Sequence, residues 1–304
     1  MAFHWPTFRT RALTAIVFAA VMLFGLLWNQ WSFFLLFTVI HFGCWWEYLQ
    51  LMEKIYQVKY HVYSKLGYML LGYGLFLWFC GPYYALAGYW LRGNFSLPVS
   101  LAGFVMLVAG IFMSGKVTLR SFAAGALGIF YISLSWGLMM DLYQQVMNIN
   151  FRDTTFSIAR IFLPFLVVCG IWINDTMAYI VGSFIGRRPL SSISPKKTWE
   201  GTIGGIVLAV GLLGWLYPLA SFGSVPTELA ILVMIITLIT AVAGTFGDLL
   251  ESKLKRLAGV KDSGSIMPGH GGFMDRFDSL LIAVPFVWLF LHFFLEKTLN
   301  LLVK

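Results

Sequence analysis

Nine apolar windows follow one another along this chain, near residues 12–28, 31–52, 66–82, 97–113, 121–140, 159–186, 202–221, 226–250 and 273–295. Each is close to the ~20 residues that a helix needs to cross the hydrocarbon core of a bilayer. Lipid offers no hydrogen-bond partner to a peptide group, so a chain built this way satisfies its backbone within helices. The expectation is an all-α, polytopic transmembrane bundle of about nine helices. Residues 1–304 form one integral membrane domain in this reading, with motif-free helices over 1–158 and the chemistry over 159–304. Composition agrees, because only 11% of residues are charged and mean hydropathy is +0.81, against roughly 25% charged in soluble domains. A net charge of +8 is too small and too scattered for a nucleic-acid binder. It suits anionic lipid headgroups and phosphate-bearing substrates instead. Cys44, Cys80 and Cys169 lie in apolar stretches without CxxC or Cys/His spacing, which predicts neither a disulfide framework nor a zinc site. Arg9 and Arg11 precede an apolar run from Ala12 to Trp28 that no small-x-small cleavage site closes, so it reads as a retained first helix.

Charge asymmetry orients the windows. With the N-terminus in the cytoplasm, fifteen of the 21 Lys and Arg residues fall on the inner side and five on the outer, Arg276 lying just inside the last window. That bias predicts loops 187–201 and 251–272 on the cytoplasmic face. The aromatic stretch from Gly81 to Gly93 is broken by Pro82 and Gly88 and reads as an interfacial loop, with Tyr83, Tyr84, Tyr89 and Trp90 at headgroup level.

Between the last two windows, Gly247 to Asp278 gathers Asp248, Lys255, Arg256, Lys261, Asp262, His270, Asp275, Arg276 and Asp278. Charges at membrane level are expensive and usually functional. Asp275 and Asp278, three apart at a helix start, share one face with Cβ atoms about 5–6 Å apart. Two such carboxylates repel unless a cation lies between them. With Asp248 at the end of the preceding helix they form an oxygen set suited to Mg²⁺, with room for a second cation. The plainer alternative is helix N-terminal preference or pairing with Arg276. Pro268-Gly269-His270-Gly271-Gly272 can adopt positive φ and feeds a helix starting near Phe273, the arrangement of an anion site. A membrane-re-entry turn is the competing explanation. His270 could donate to a phosphate oxygen or act as an acid, or serve only the turn.

Ser194-Pro195-Lys196-Lys197-Thr198-Trp199-Glu200 stands just before the seventh window, downstream of Arg187 and Arg188. Topology alone explains basic residues there but not the adjoining Trp199 and Glu200, so Lys196 and Lys197 are read as phosphate binders. Asn174 and Asp175 are deeper. Asp175 lies eleven residues before Gly186, about 16 Å along a helix, and is expected to face a polar cavity rather than a buried structural partner. Gly182/Gly186 and Gly201/Gly205 suggest close helix packing. His41, Glu47, His61 and Asp141 fall at helix ends without companions and are assigned no chemistry. GxxxxGK[ST], GxSxG and HExxH are absent from the sequence, so neither a P-loop nor these hydrolase sites are expected.

Lys255-Arg256, Lys261-Asp262, His270-Gly271-Gly272 and Asp275-Arg276-x-Asp278, within Ser252 to Asp278, together resemble the signature of the phosphatidate cytidylyltransferases, also called CDP-diacylglycerol synthases. Ser194 to Gly201 is similar to a further stretch of that family, and the resemblance spans roughly Asn174 to Asp278. It implies transfer of a cytidylyl group from CTP to phosphatidic acid in a bacterial inner membrane, among membrane lipids, and it admits a homodimer. It also implies divalent-cation binding at Asp248, Asp275 and Asp278. Phosphates would then be held by Lys196, Lys197, Lys255, Arg256 and Lys261, alongside Ser194, Glu200, Asn174 and Asp175, with Arg276 orienting the carboxylates. The competing readings are a transporter of an anionic solute and a CTP-using enzyme acting on an ether or polyprenyl lipid.

Overall fold

Several helices begin where the sequence supplies caps. After α1 (Trp5–Leu27), Asn29 accepts the N–H groups of Trp31 and Ser32 on its side chain while Ser32 Oγ accepts the N–H of Asn29, which starts α2 (Gln30–Tyr56). His61 opens α3 (Val62–Trp78), its Nδ1 accepting the N–H of Tyr63 at 3.2 Å. It is therefore a cap with a partner, a correction to the expectation that it has none. A π-helical turn at Leu91–Phe95 leads into α4 (Ser96–Met113). Thr118 and Ser121 form a reciprocal cap for α5 (Leu119–Gly128), which continues through a π-helical stretch, Ile129–Leu134, into α6 (Ser135–Gln144). Then follow α7 (Phe162–Ile185), α8 (Trp199–Ala220), α9 (Thr227–Leu257) and α10 (Met274–Phe293). The computed structural model describes residues 5–114, 117–145, 147–151, 154–158, 160–220, 227–265 and 271–295.

Among the described residues, seven helical stretches are long and apolar enough to cross a membrane: Gln30–Tyr56, Leu91–Met113, Leu119–Gln144, Phe162–Ile185, Trp199–Leu216, Thr227–Leu257 and Met274–Phe293. The expected windows at 12–28 and 66–82 fall on a shorter apolar helix, Leu13–Leu27, and on α3, of 17 residues. This is an all-α, polytopic membrane protein. Its described strands form two small antiparallel hairpins, β1 (Ala85–Leu86) with β2 (Tyr89–Trp90) and β3 (Met147–Phe151) with β4 (Thr154–Ile158). The first hairpin turns through Ala87 and Gly88, both at positive φ, as a two-residue hairpin turn demands. Tyr83, Tyr89 and Trp90 stay exposed. Tyr84 departs from the expected interfacial position: it is fully buried, with its ring against Trp31 and Phe34.

The chain divides into two compact units. The first comprises Met1–Asp141 and Lys253–Phe277, the second Leu142–Ser252 and Asp278–Lys304. In the first, an aromatic series, Phe33, Phe37, Trp136 and Phe277, forms part of the core. Several buried polar groups find partners, as an apolar surrounding favours. Ser133 Oγ meets both His41 Nε2 (2.9 Å) and Trp45 Nε1 (2.8 Å), which gives His41 a companion the sequence did not reveal. The hydroxyls of Tyr48, Tyr60 and Tyr68 donate to carbonyls at Ala124, Ser121 and Phe122 in α5. α3 and α4 approach closely because Gly67, Gly103 and Gly110 leave room for the facing backbone.

In the second unit α7 and α8 pack through Gly182, Gly201 and Gly205. A Cβ at Gly201 would lie 2.9 Å from Gly182 Cα, and one at Gly205 would lie 2.8 Å from Asn174 O. The packing role expected of these glycines is thus met. Gly247 does the same for α9 and α10: a Cβ there would stand 2.5 Å from the carbonyl oxygen of Asp278 and 3.0 Å from Ser279 Cα.

Candidate active site

Within the second unit, the contact at Gly247 sets the site. It seats α9 against the backbone of Asp278, and the next residue on α9 is Asp248. The charges of Asp248, Asp175 and Lys197 all act on the Asp278 carboxyl, and those of Lys197 and Asp248 act on Asp175. Lys197 Nζ forms an ion pair with Asp248 Oδ2. Ser252 Oγ lies 3.3 Å from Asp248 Oδ1, and Ser279 N–H donates to Asp278 Oδ1 at 2.7 Å. An added methyl would part α9 from α10 here. Gly247→Ala is therefore expected to destabilise the protein by about 1–3 kcal/mol, measured as a lower unfolding midpoint in detergent.

Asn174, Asp175, Lys196, Lys197, Thr245 and Asp248 line a cavity of about 420 Å³. Asp175 is exposed to it, in keeping with the polar cavity expected from its depth in the helix. Asn174 Nδ2 donates to Asp175 Oδ1 at 3.3 Å, while Asn174 Oδ1 is buried with no hydrogen-bond partner among the described residues. One wall of the cavity is the loop between α7 and α8. It folds back on itself: Leu190 N–H donates to Lys197 O, Lys197 N–H to Ser194 O, and Trp199 N–H to Arg188 O. Glu200 Oε2 accepts the N–H groups of Arg187 and Arg188 at 3.1 and 3.2 Å, and Thr198 Oγ1 accepts that of Gly201. Glu200 thereby closes the loop that presents Lys196 and Lys197, and Ser194 supplies it with a carbonyl.

The remaining candidates lie in the first unit. Asp275 Oδ1 takes Lys255 Nζ at 2.6 Å, and its Oδ2 accepts the N–H groups of Ser263 (3.0 Å) and Gly272 (2.8 Å). Gly271 has φ of 85°, the left-handed conformation expected of this glycine turn. Arg256, Lys261 and Arg276 are exposed, and His270, with Pro268 and Gly269, lies outside the described residues. The sequence did not reveal Glu47. It is 1% exposed, its Oε1 accepts the N–H of Phe273 at 2.9 Å, and its Oε2 accepts that of Met274 at 2.9 Å and the hydroxyl of Ser263 at 2.7 Å. Far from lacking companions, it caps the start of α10. The available signal was an acid nine residues before the end of a long apolar helix, a placement that calls for a specific partner.

Hard oxygen donors of this kind fit a magnesium site of open type. Among the described residues no three His, Cys, Asp or Glu side chains group closely enough to hold a metal ion between them. Mg²⁺ does not require such a group, since it commonly keeps waters and substrate phosphates and binds through one or two carboxylates.

The fold and site are those of a helical membrane protein in which carboxylates and lysines line one cavity. The pattern of the cytidylyltransferase family matches residues 9–294, and the chain belongs to that family. Among its relatives, the phosphatidate cytidylyltransferase of Bacillus subtilis (strain 168) is 40% identical over 159 residues, which cover 52% of this chain and 55% of the relative. The protein of that name from Staphylococcus saprophyticus is 34% identical over 201 residues, 66% of this chain and 70% of the relative. That from Synechocystis is 43% identical over 133 residues, 43% of each. The chain spans about half the length of several of the curated relatives it matches, the Bacillus protein and two chloroplastic ones of Arabidopsis thaliana among them.

Proposed function

We propose that this protein transfers the cytidylyl group of CTP to phosphatidic acid, giving CDP-diacylglycerol and pyrophosphate. The observation that carries the reading is the ion pair of Lys197 with Asp248 beside the cavity that Asp175 and Lys196 also line, with the backbone of Asp278 packed on neighbouring Gly247. The relatives' names support it.

A phosphate oxygen of phosphatidic acid attacks the α-phosphorus of CTP, forming the new P–O–P link, and pyrophosphate departs with the electron pair of the broken bond. The nucleophile is already an anion, so no strong base is required. The barrier lies in bringing two polyanions together, and charge complementarity in a desolvated pocket lowers it. Lys197 exchanges part of its pairing with Asp248 for a phosphate oxygen, and Lys196 neutralises a second one at the rim. Asp248 and Asp278 would hold Mg²⁺, with Asp175 and the vacant acceptor of Asn174 adjoining; the ion, when bound, supplies the countercharge for the triphosphate. Asp275, which the resemblance counts with them, is assigned to ordering its own loop through Lys255, Ser263 and Gly272. The loop carrying Lys196 and Lys197 faces the cytoplasm, the side the basic residues favour.

The test is to incubate detergent-purified protein with CTP, Mg²⁺ and phosphatidic acid. Pyrophosphate release that depends on the lipid is expected. A transporter releases none without a sealed membrane, and release only with a polyprenyl or ether phosphate would reassign the acceptor.

A further inference from the structure

The motif-free N-terminal half contributes a carboxylate to the signature region. Glu47 projects from α2 into the start of α10, where its two oxygens receive three donors: the N–H groups of Phe273 and Met274 and the hydroxyl of Ser263. The fit is tight. A Cβ at Gly264 or at Gly272 would run into the Glu47 carboxylate, and one at Gly43, a turn earlier on α2, would meet the ring of Phe273 at 2.5 Å. Ser263 extends the connection. Its hydroxyl donates to Glu47 at 2.7 Å, while its N–H donates to Asp275 Oδ2 at 3.0 Å and its Oγ lies 3.3 Å from the Asp275 N–H. Asp275 in turn carries Lys255.

We infer that Glu47 is a positioning residue for the reaction proposed above, fixing the first turn of α10 and, through Ser263, the orientation of the Asp275 carboxylate. The chemistry calls for a carboxylate. All three neighbours are donors, so both oxygens must accept, and a negative charge is favoured at a helix N-terminus. Glutamine matches the shape but turns an NH₂ toward at least one N–H or O–H. Aspartate is a methylene shorter and does not reach. The inference rests on the cytidylyl-transfer reading only for its kinetic arm, and its structural arm stands without it.

Wild-type protein, Glu47→Gln and Ser263→Ala are purified in detergent and compared in two ways. Amide hydrogen exchange needs no activity. Glu47→Gln is expected to speed exchange at Phe273 and Met274 by about tenfold, the loss of one hydrogen bond to a charged group, with α7 and α8 peptides unchanged. Ser263→Ala is expected to speed it at Asp275. Wild-type exchange at these positions in both variants overturns the proposal. In the turnover assay both variants should lower kcat about tenfold with KM for CTP within about twofold of wild type, the pattern of an interaction made in the transition state. Wild-type kcat in both overturns the positioning role while leaving the reaction intact. An inactive wild type overturns the reaction and leaves the exchange result to decide the position of α10. Should Glu47→Gln fail to fold, Ser263→Ala decides alone, since it keeps both backbone caps on Glu47: faster exchange at Asp275 supports the link, and unchanged exchange ends it.

Discussion

Asp278→Asn is expected to reduce turnover by on the order of 10³-fold, the scale seen when one preorganised electrostatic group is removed from an active site. The substitution replaces a carboxyl by an amide of the same size and changes almost nothing else. Asparagine fills the same volume where α10 meets Gly247, and its side-chain oxygen can still accept the N–H of Ser279, now held by Asp278 Oδ1 at 2.7 Å. Helical content and elution in detergent should match wild type. What disappears is the carboxyl that α10 brings beside Gly247 and Asp248, and with it a ligand of the proposed ion. Raising Mg²⁺ should recover little of the loss. Near-normal turnover in a folded variant would remove Asp278 from the mechanism.

Lys197→Ala has the second largest expected effect, a fall in kcat/KM of on the order of 10²-fold, as for a hydrogen bond between charged groups. Lys197 does two things in the second unit: it pairs with Asp248, and it stands at the wall of the cavity. Without it the acids face one another with no ammonium among them, and an incoming triphosphate meets net negative charge. The pair is about a quarter to a third exposed, 30% for Lys197 and 24% for Asp248, so its own contribution to stability is modest and the protein should remain folded. Lys196→Ala, at the exposed rim, should do less. Steady-state kinetics against CTP separate the two, and unchanged kinetics in Lys197→Ala would return the loop to a purely topological role.

Much of this arrangement can be read from the residues, because lipid allows so few solutions. A backbone that must satisfy itself in hydrocarbon becomes helix, and the windows therefore fall on helices. Asp175 could be placed in a polar cavity from its depth alone, and the glycines at 182, 201 and 205 declared a close contact by their spacing. Spacing grouped Asp248 with Asp278, but the packing that lets them meet could not be read. Asp248 stands with Asp278 because Gly247 has no Cβ to hold α9 away from α10, a fact of packing that no charge pattern encodes. Glu47 was hidden by an apolar window that ended near residue 52, whereas α2 runs on to Tyr56. The acid taken for a helix-end residue lies inside the helix, and its donors are more than 200 positions away in sequence. Tyr84 failed in the opposite direction: its aromatic neighbours suggested an interface, but Trp31 and Phe34 cover it.

Phosphate chemistry at the cavity in the second unit is tested most directly by following the α-phosphate of CTP. Protein in detergent is given phosphatidic acid, Mg²⁺ and CTP radiolabelled at that position. The expected result is label in the lipid phase in equal amount to the pyrophosphate released, abolished by chelating the metal and by Asp278→Asn. Label that stays in the aqueous phase while pyrophosphate accumulates, or label transfer that survives both treatments, would contradict it.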